Sequence, residues 1–150
     1  GHGDLGGNVA ADRIQVEAGD FVCLRTGFDE GIFEGKEKPD RDTLETSCTG
    51  LDGNDERLKQ WITETKLVAL ISDNYAVEIH NQSLQPGQCA MLPLHQHCLF
   101  KTGVNLGALW HLSELANWLR TNDRSRFLLT APPLRLPGIV GSPLTPVATV

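Results

Sequence analysis

No stretch of this chain approaches the roughly eighteen consecutive apolar residues that a membrane helix needs, so no helical membrane span is expected. No basic segment followed by an apolar one stands at its start, so no secretory signal is visible. Lysine and arginine are in the minority, 13 against 19 acids, for a formal net charge of −6. A mildly acidic surface repels phosphate backbones, which argues against nucleic acid as a partner. The four cysteines (Cys23, Cys48, Cys89 and Cys98) form no C-x-x-C pair, which argues against a zinc ribbon and a thioredoxin-type dithiol. Free thiols without a secretory signal point to a reducing, cytoplasmic setting. The chain also lacks a G-x-S-x-G elbow, a P-loop, a dinucleotide fingerprint and any internal repeat. Its one Gly-rich apolar candidate, Gly138 to Ser142, reads as a tight turn between strands.

What is present is the composition of one globular domain: 150 residues, 40% apolar and 21% charged. Residues 1–18 read as a flexible, Gly-rich lead-in. Acids crowd into residues 29–56, which read as solvated, and residues 28–53 read as a long excursion with one helical turn. Asp20 to Thr26 predicts a strand, entered and left through Gly19 and Gly27. Asn54 is placed to cap a helix with Leu58, Trp61, Ile62 and Thr65 on one face. Leu67 to Ile71 predicts a buried strand that ends in the polar Ser72, Asp73 and Asn74. Residues 81–90 read as loop. Pro93 suits the first position of a helix that Gly103 would stop. Val104 to Leu109 is a short strand or an extended link, and Ser113 caps a helix that turns Leu115, Trp118 and Leu119 inward. Arg126 to Thr130 and Pro146 to Val150 predict terminal strands. Helices interleaved with strands make the fold α/β or mixed α+β.

The chemistry-bearing residues are few. His95 and His97 are spaced i, i+2, so on a helix their rings point about 200° apart and both cannot readily reach one ion. His95 lies on the same side as Cys98 and Leu99, a position open to a metal ligand or to a satisfied core histidine. His2, His80 and His111 form no zinc-type spacing. Asn74, Tyr75 and Glu78, at and beyond a strand end, are the candidate substrate-binding residues. Glu78 is open to an acid/base role or to that of a solvated or paired carboxylate. Trp110 is read as core or as the lining of a pocket.

From Gly19 to its C-terminus the chain resembles the C-terminal half of the metal-dependent cyclase family, which includes kynurenine formamidases and isatin hydrolases. The resemblance is carried by GDFVCLRTGF (Gly19 to Phe28), DNYAVE (Asp73 to Glu78), LPLHQHCLFKTGVNLG (Leu92 to Gly107) and APPLRLPGIVGSPLTPVA (Ala131 to Ala148). It implies the C-terminal portion of a swivelling β/β/α-type fold over residues 19–150, and an oligomer. It also implies hydrolysis of an amide, lactam or ester of a small-molecule substrate by water on a divalent metal, zinc or manganese. In that pattern His95 is a metal ligand.

Two departures from the family pattern follow. The motif His-x-Gly-Thr-His-x-Asp is absent, and Ala108 stands where a glutamate is expected. An alanine methyl neither ligates a metal nor transfers a proton. The chain by itself is therefore expected to be inactive, with a complementary N-terminal segment or second chain supplying the other ligands. The alternative is a non-catalytic binding or scaffold protein on the same fold.

Overall fold

A computed structural model describes residues 14–34, 49–79 and 90–150. Most of the lead-in, Cys48, Cys89, His2, His80 and residues 81–89 of the expected loop lie outside them. The chain divides into two units, Gly1–Ser113 and Glu114–Val150.

The first unit is built on three parallel strands, β1 (Phe21–Leu24), β2 (Ala69–Ser72) and β3 (Asn105–Gly107), in that order across the sheet. Val22 pairs with Leu70 and Leu70 with Leu106. All four residues of β2 are buried, as expected of a central parallel strand covered on both faces. Parallel neighbours require crossovers, and helices supply them. Between β1 and β2 lie α1 (Phe28–Glu34) and α2 (Glu56–Thr65); between β2 and β3 lies α3 (Pro93–His95), which runs on as a π-helical segment, Gln96–Thr102.

Helix α2 starts at Asp55, whose carboxylate accepts from the main-chain N–H groups of Arg57 and Leu58. The expected cap, Asn54, instead occupies the turn before it, its own N–H directed to Asp52 Oδ1. Leu58 and Ile62 face inward and join Leu51, Leu67, Leu70, Val77, Leu94, Cys98 and Val104 in one core. Pro93 opens α3 and Gly103, at φ +72°, closes the π segment, as the Pro/Gly punctuation predicts. Trp110 is buried, its indole packed over Gly107 with so little room that a Cβ there would lie 3.1 Å from Nε1.

The second unit holds the remainder of α4 (Ser113–Thr121) and an antiparallel ribbon of β4 (Leu128–Thr130) and β5 (Val147–Thr149). Gly138, at φ +83°, makes the turn expected around it. Trp118, expected inside, is half-exposed with the Arg124 guanidinium over its ring at 5.6 Å. A polar partner on an indole face is compatible with solvent, so periodicity alone misplaced this side chain.

Candidate functional site

The three strands are parallel, so their carboxyl ends open on one edge of the sheet, where α/β folds place ligands. At that edge β2 runs out into Asp73 and Asn74, both fully buried. Asp73 accepts from Thr26 N, Thr26 Oγ1 and Gly27 N at 2.7–2.8 Å, binding the end of β1 to the end of β2. Asn74 folds the next turn: its Oδ1 accepts from Val77 N, its amide donates to Thr49 O, and its carbonyl accepts from Leu109 N. Asn74 is thus spent on the loop's shape, while Tyr75 beside it is exposed.

Val77 is buried with φ +75°, a conformation that a β-branched residue rarely adopts. Strain of this kind persists only where surrounding contacts impose it. Here Leu51 N donates to Val77 O and Ile79 N to Leu51 O, so the segment is held on both sides of Glu78.

Glu78 has a side chain with no solvent exposure. Its Oε2 accepts from Leu94 N at 2.9 Å, and its Oε1 accepts from His95 N at 2.8 Å and lies 2.6 Å from His95 Nδ1. Leu92, the N-cap residue of α3, offers no side-chain bond, so this distant carboxylate caps the helix in its place. Two glycines make room for it. A Cβ on Gly53 would fall on Glu78 Oε2, and one on Gly50 would lie 3.0 Å from the carbonyl carbon of Glu78.

His95 is therefore a carboxylate-oriented imidazole rather than a core histidine. Its side chain is 27% exposed and lines a shallow groove of about 360 Å³ with Leu92, Leu99 and Phe100. With Nδ1 held by Glu78, Nε2 is the nitrogen left for other work. His97 does not share the site: its Nε2 lies 3.0 Å from Thr63 Oγ1 on α2, so the two rings take separate partners, as their spacing requires. Cys98, behind His95, is buried, and burial together with the nearby Glu78 carboxylate pushes its thiol up to about 11.

As a self-contained metal centre the described residues do not suffice, since no group of three His, Cys, Asp or Glu is found among them. As one donor of a larger set His95 does fit. The carboxylate on its second nitrogen is the outer-sphere partner that metal-bound histidines almost always have. Ala108 follows β3 with an exposed methyl.

A second carboxylate–imidazole pair, which sequence spacing gave no means of finding, links α1 to the segment after β3. Asp29 is buried and accepts from Leu112 N, Ser113 N and Ser113 Oγ, and its Oδ2 lies 2.9 Å from His111 Nδ1. Burial would raise the Asp29 pKa, but the bonds from Ser113, Glu30 and Leu112 outweigh it and hold the group at about 2.

No family model matches the sequence, and no curated protein does so significantly. Solved structures do. The chain superposes on the crystal structure of a novel cyclase with TM-score 0.77 and 32% identity, over 98% of this chain and 45% of that one. The chain is consistent with one half of a cyclase-family protein. The cyclase fold recurs in an isatin hydrolase bound to the product analogue thioisatinate (TM-score 0.64, 19% identity, 98% of this chain and 51% of that one). It recurs again in a predicted metal-dependent hydrolase from Bacillus stearothermophilus (TM-score 0.57, 18% identity, 91% and 52%). The chain spans about half the length of the structures it matches. The expected α/β class and cyclase-type fold are thus both observed. No helix among the described residues is long and apolar enough to cross a membrane.

Proposed function

We propose that this chain is one part of a metal-dependent hydrolase of the cyclase type, to which it contributes His95 as a single oriented ligand. The observation that carries the reading is the buried Glu78 carboxylate on His95 Nδ1, which fixes the tautomer and presents Nε2. The other donors would come from a complementary N-terminal segment or a second chain within an oligomer. A divalent ion held there, zinc or manganese, would supply Lewis acidity toward a carbonyl and lower the pKa of water. The substrates fitting such a site are small cyclic or acyclic amides, lactams or esters, of the kynurenine-formamidase or isatin-hydrolase kind, and the setting is cytoplasmic.

The chain's own residues divide the remaining work. Glu78 orients His95 and caps α3, and it touches substrate only through that imidazole. Asn74 shapes the loop that offers Tyr75 to a substrate. The second reading, a binding or scaffold protein without catalysis, is favoured by one specific observation, the exposed methyl of Ala108 at the end of β3. Hydrolysis of isatin, formanilide and 4-nitrophenyl acetate by the assembled protein, with and without a chelator, tests the proposal. Chelator-sensitive turnover is expected; a metal-loaded assembly inert toward all three sends the assignment to the binding protein.

A further inference from the structure

His95 ends a segment of ordinary helical winding, and the residues after it are wound differently. At Gln96 α3 passes into seven residues, Gln96–Thr102, whose main-chain bonds run five residues back rather than four. The difference decides which side chains share a face with the imidazole. At 3.6 residues per turn, α winding would carry Leu99 back over His95 but leave Phe100 about 140° away. Pairing five apart widens the turn and brings a residue back over the one five before it. Leu99 and Phe100 accordingly both line the groove of about 360 Å³ that holds the His95 ring.

A π turn is rare, and here its cause lies at the C-terminal end of the segment. Thr102 Oγ1 donates to both His97 O and Cys98 O at 3.0 Å, tying itself to carbonyls five and four residues back. Cys98 O also accepts from Gly103 N, and from Val104 N at 2.8 Å. Gly103 presents Val104 N by taking φ +72°, which glycine adopts without steric cost. At the other end Glu78 accepts from Leu94 N and His95 N, so the segment is fixed at both ends.

The wide turn has an exposed apolar product. Cys98 faces the core, while Leu99 is 49% and Phe100 88% exposed. A single exposed apolar side chain needs no explanation, but two beside an oriented imidazole form one surface. The groove they line falls within the range of small-molecule pockets, about 300–1,000 Å³.

We propose that Thr102 is a positioning residue, whose shared hydroxyl bond holds the π winding and so places Leu99 and Phe100 beside His95. These two side chains form the wall against which an apolar group of the substrate lies. The inference rests on the hydrolase reading above. Without the hydroxyl, Gly103 N is free to pair four residues back, with Leu99 O, and Phe100 turns away from the groove.

The test uses the assembled protein with Thr102→Val, Thr102→Ser and Phe100→Ala, and two formyl amides, formanilide and N-methylformamide. Comparison between variants cancels the different intrinsic reactivities of the two amides. Thr102→Val and Phe100→Ala should each lower the formanilide-to-N-methylformamide ratio of kcat/KM by about 10-fold, mainly through KM for formanilide. Thr102→Ser, which keeps the hydroxyl, should hold the wild-type ratio. Crystal structures should show Gly103 N moved from Cys98 O to Leu99 O in Thr102→Val alone. A wild-type ratio in Thr102→Val, or π pairing retained there, overturns the role of Thr102. A wild-type ratio in Phe100→Ala overturns the groove as the apolar subsite. So does a Phe100→Ala chain that no longer assembles, because Phe100 would then face another chain segment. A metal-loaded wild type inert toward both amides sinks the hydrolase reading alone. The groove is then judged on acetanilide binding by ligand-observed NMR: binding weakened about 10-fold in Phe100→Ala upholds it, and equal binding overturns it.

Discussion

Glu78 Oε1 lies 2.6 Å from His95 Nδ1, joining a fully buried carboxylate to an imidazole at a groove. Because Glu78 also receives Leu94 N and His95 N, one side chain fixes both where α3 begins and how its histidine points. Replacing it with Gln turns an NH2 group toward donors that need an acceptor. Glu78→Gln should cost about 1–3 kcal/mol in urea unfolding and weaken metal binding in the assembled protein by about 10- to 100-fold. Unaltered metal affinity in a folded variant would contradict the orienting role.

Gly53 should tolerate no side chain. A methyl there meets Glu78 Oε2, with Pro93 Cγ and Leu94 N within 3.0 Å as well, so the carboxylate or the start of α3 must move. Gly53→Ala is expected to destabilise the chain by about 1–3 kcal/mol. A melting temperature equal to wild type would show that the pocket around Glu78 is looser than described.

Acid should act on the fold through Asp29. Its folded pKa of about 2 lies below the ordinary 3.8, so the ionised group stabilises the fold above the unfolded value. That contribution, about 2 kcal/mol, is lost as pH falls from about 4 toward 2. Urea melts across this range should show wild type losing more stability than Asp29→Asn, which starts lower at neutral pH. Parallel losses in the two proteins would place the acid sensitivity elsewhere.

Cys23 and Cys98 should be chemically silent in the folded chain. Burial pushes both thiols up to about 11, with Glu78 adding to the effect at Cys98. Iodoacetamide at pH 8 should label them only after denaturation, as read by peptide mass spectrometry. Rapid native labelling of Cys98 would mean that the π segment opens readily.

Ala108 offers the complementary gain of function. It is exposed at the end of β3, so a longer side chain there displaces nothing buried. Ala108→Glu is expected to raise hydrolysis in the assembled protein, and rates unchanged from background would remove a carboxylate at this position from the account.

The local signals in the sequence were those with a short-range cause. Pro93 and Gly103 bracket the helical segment because one fixes φ and the other adopts a positive φ, and β1 and β2 follow from apolar runs between polar stops. The π-helical winding was not legible, since it depends on which carbonyl each N–H finds. Nor was the part played by Glu78: its partners are 16 and 17 residues away and meet it only once β2 and α3 are in place. The same holds more strongly for Asp29 and His111, 82 residues apart. His111 failed every zinc-spacing test because its partner is a carboxylate from another element rather than a neighbouring ligand. Resemblance marked His95, and the structure adds the buried carboxylate at its Nδ1, which sequence spacing did not show.

The central claim is that His95 is this chain's metal ligand in a site completed by other residues. Native mass spectrometry with elemental analysis, on wild type and His95→Ala, tests it most directly. The account predicts zinc or manganese stoichiometric with the chain in the wild-type assembly, and loss of that metal in a variant that still assembles. Full metal retention in His95→Ala, or a metal-free wild-type chain of 16.4 kDa running alone, would contradict it.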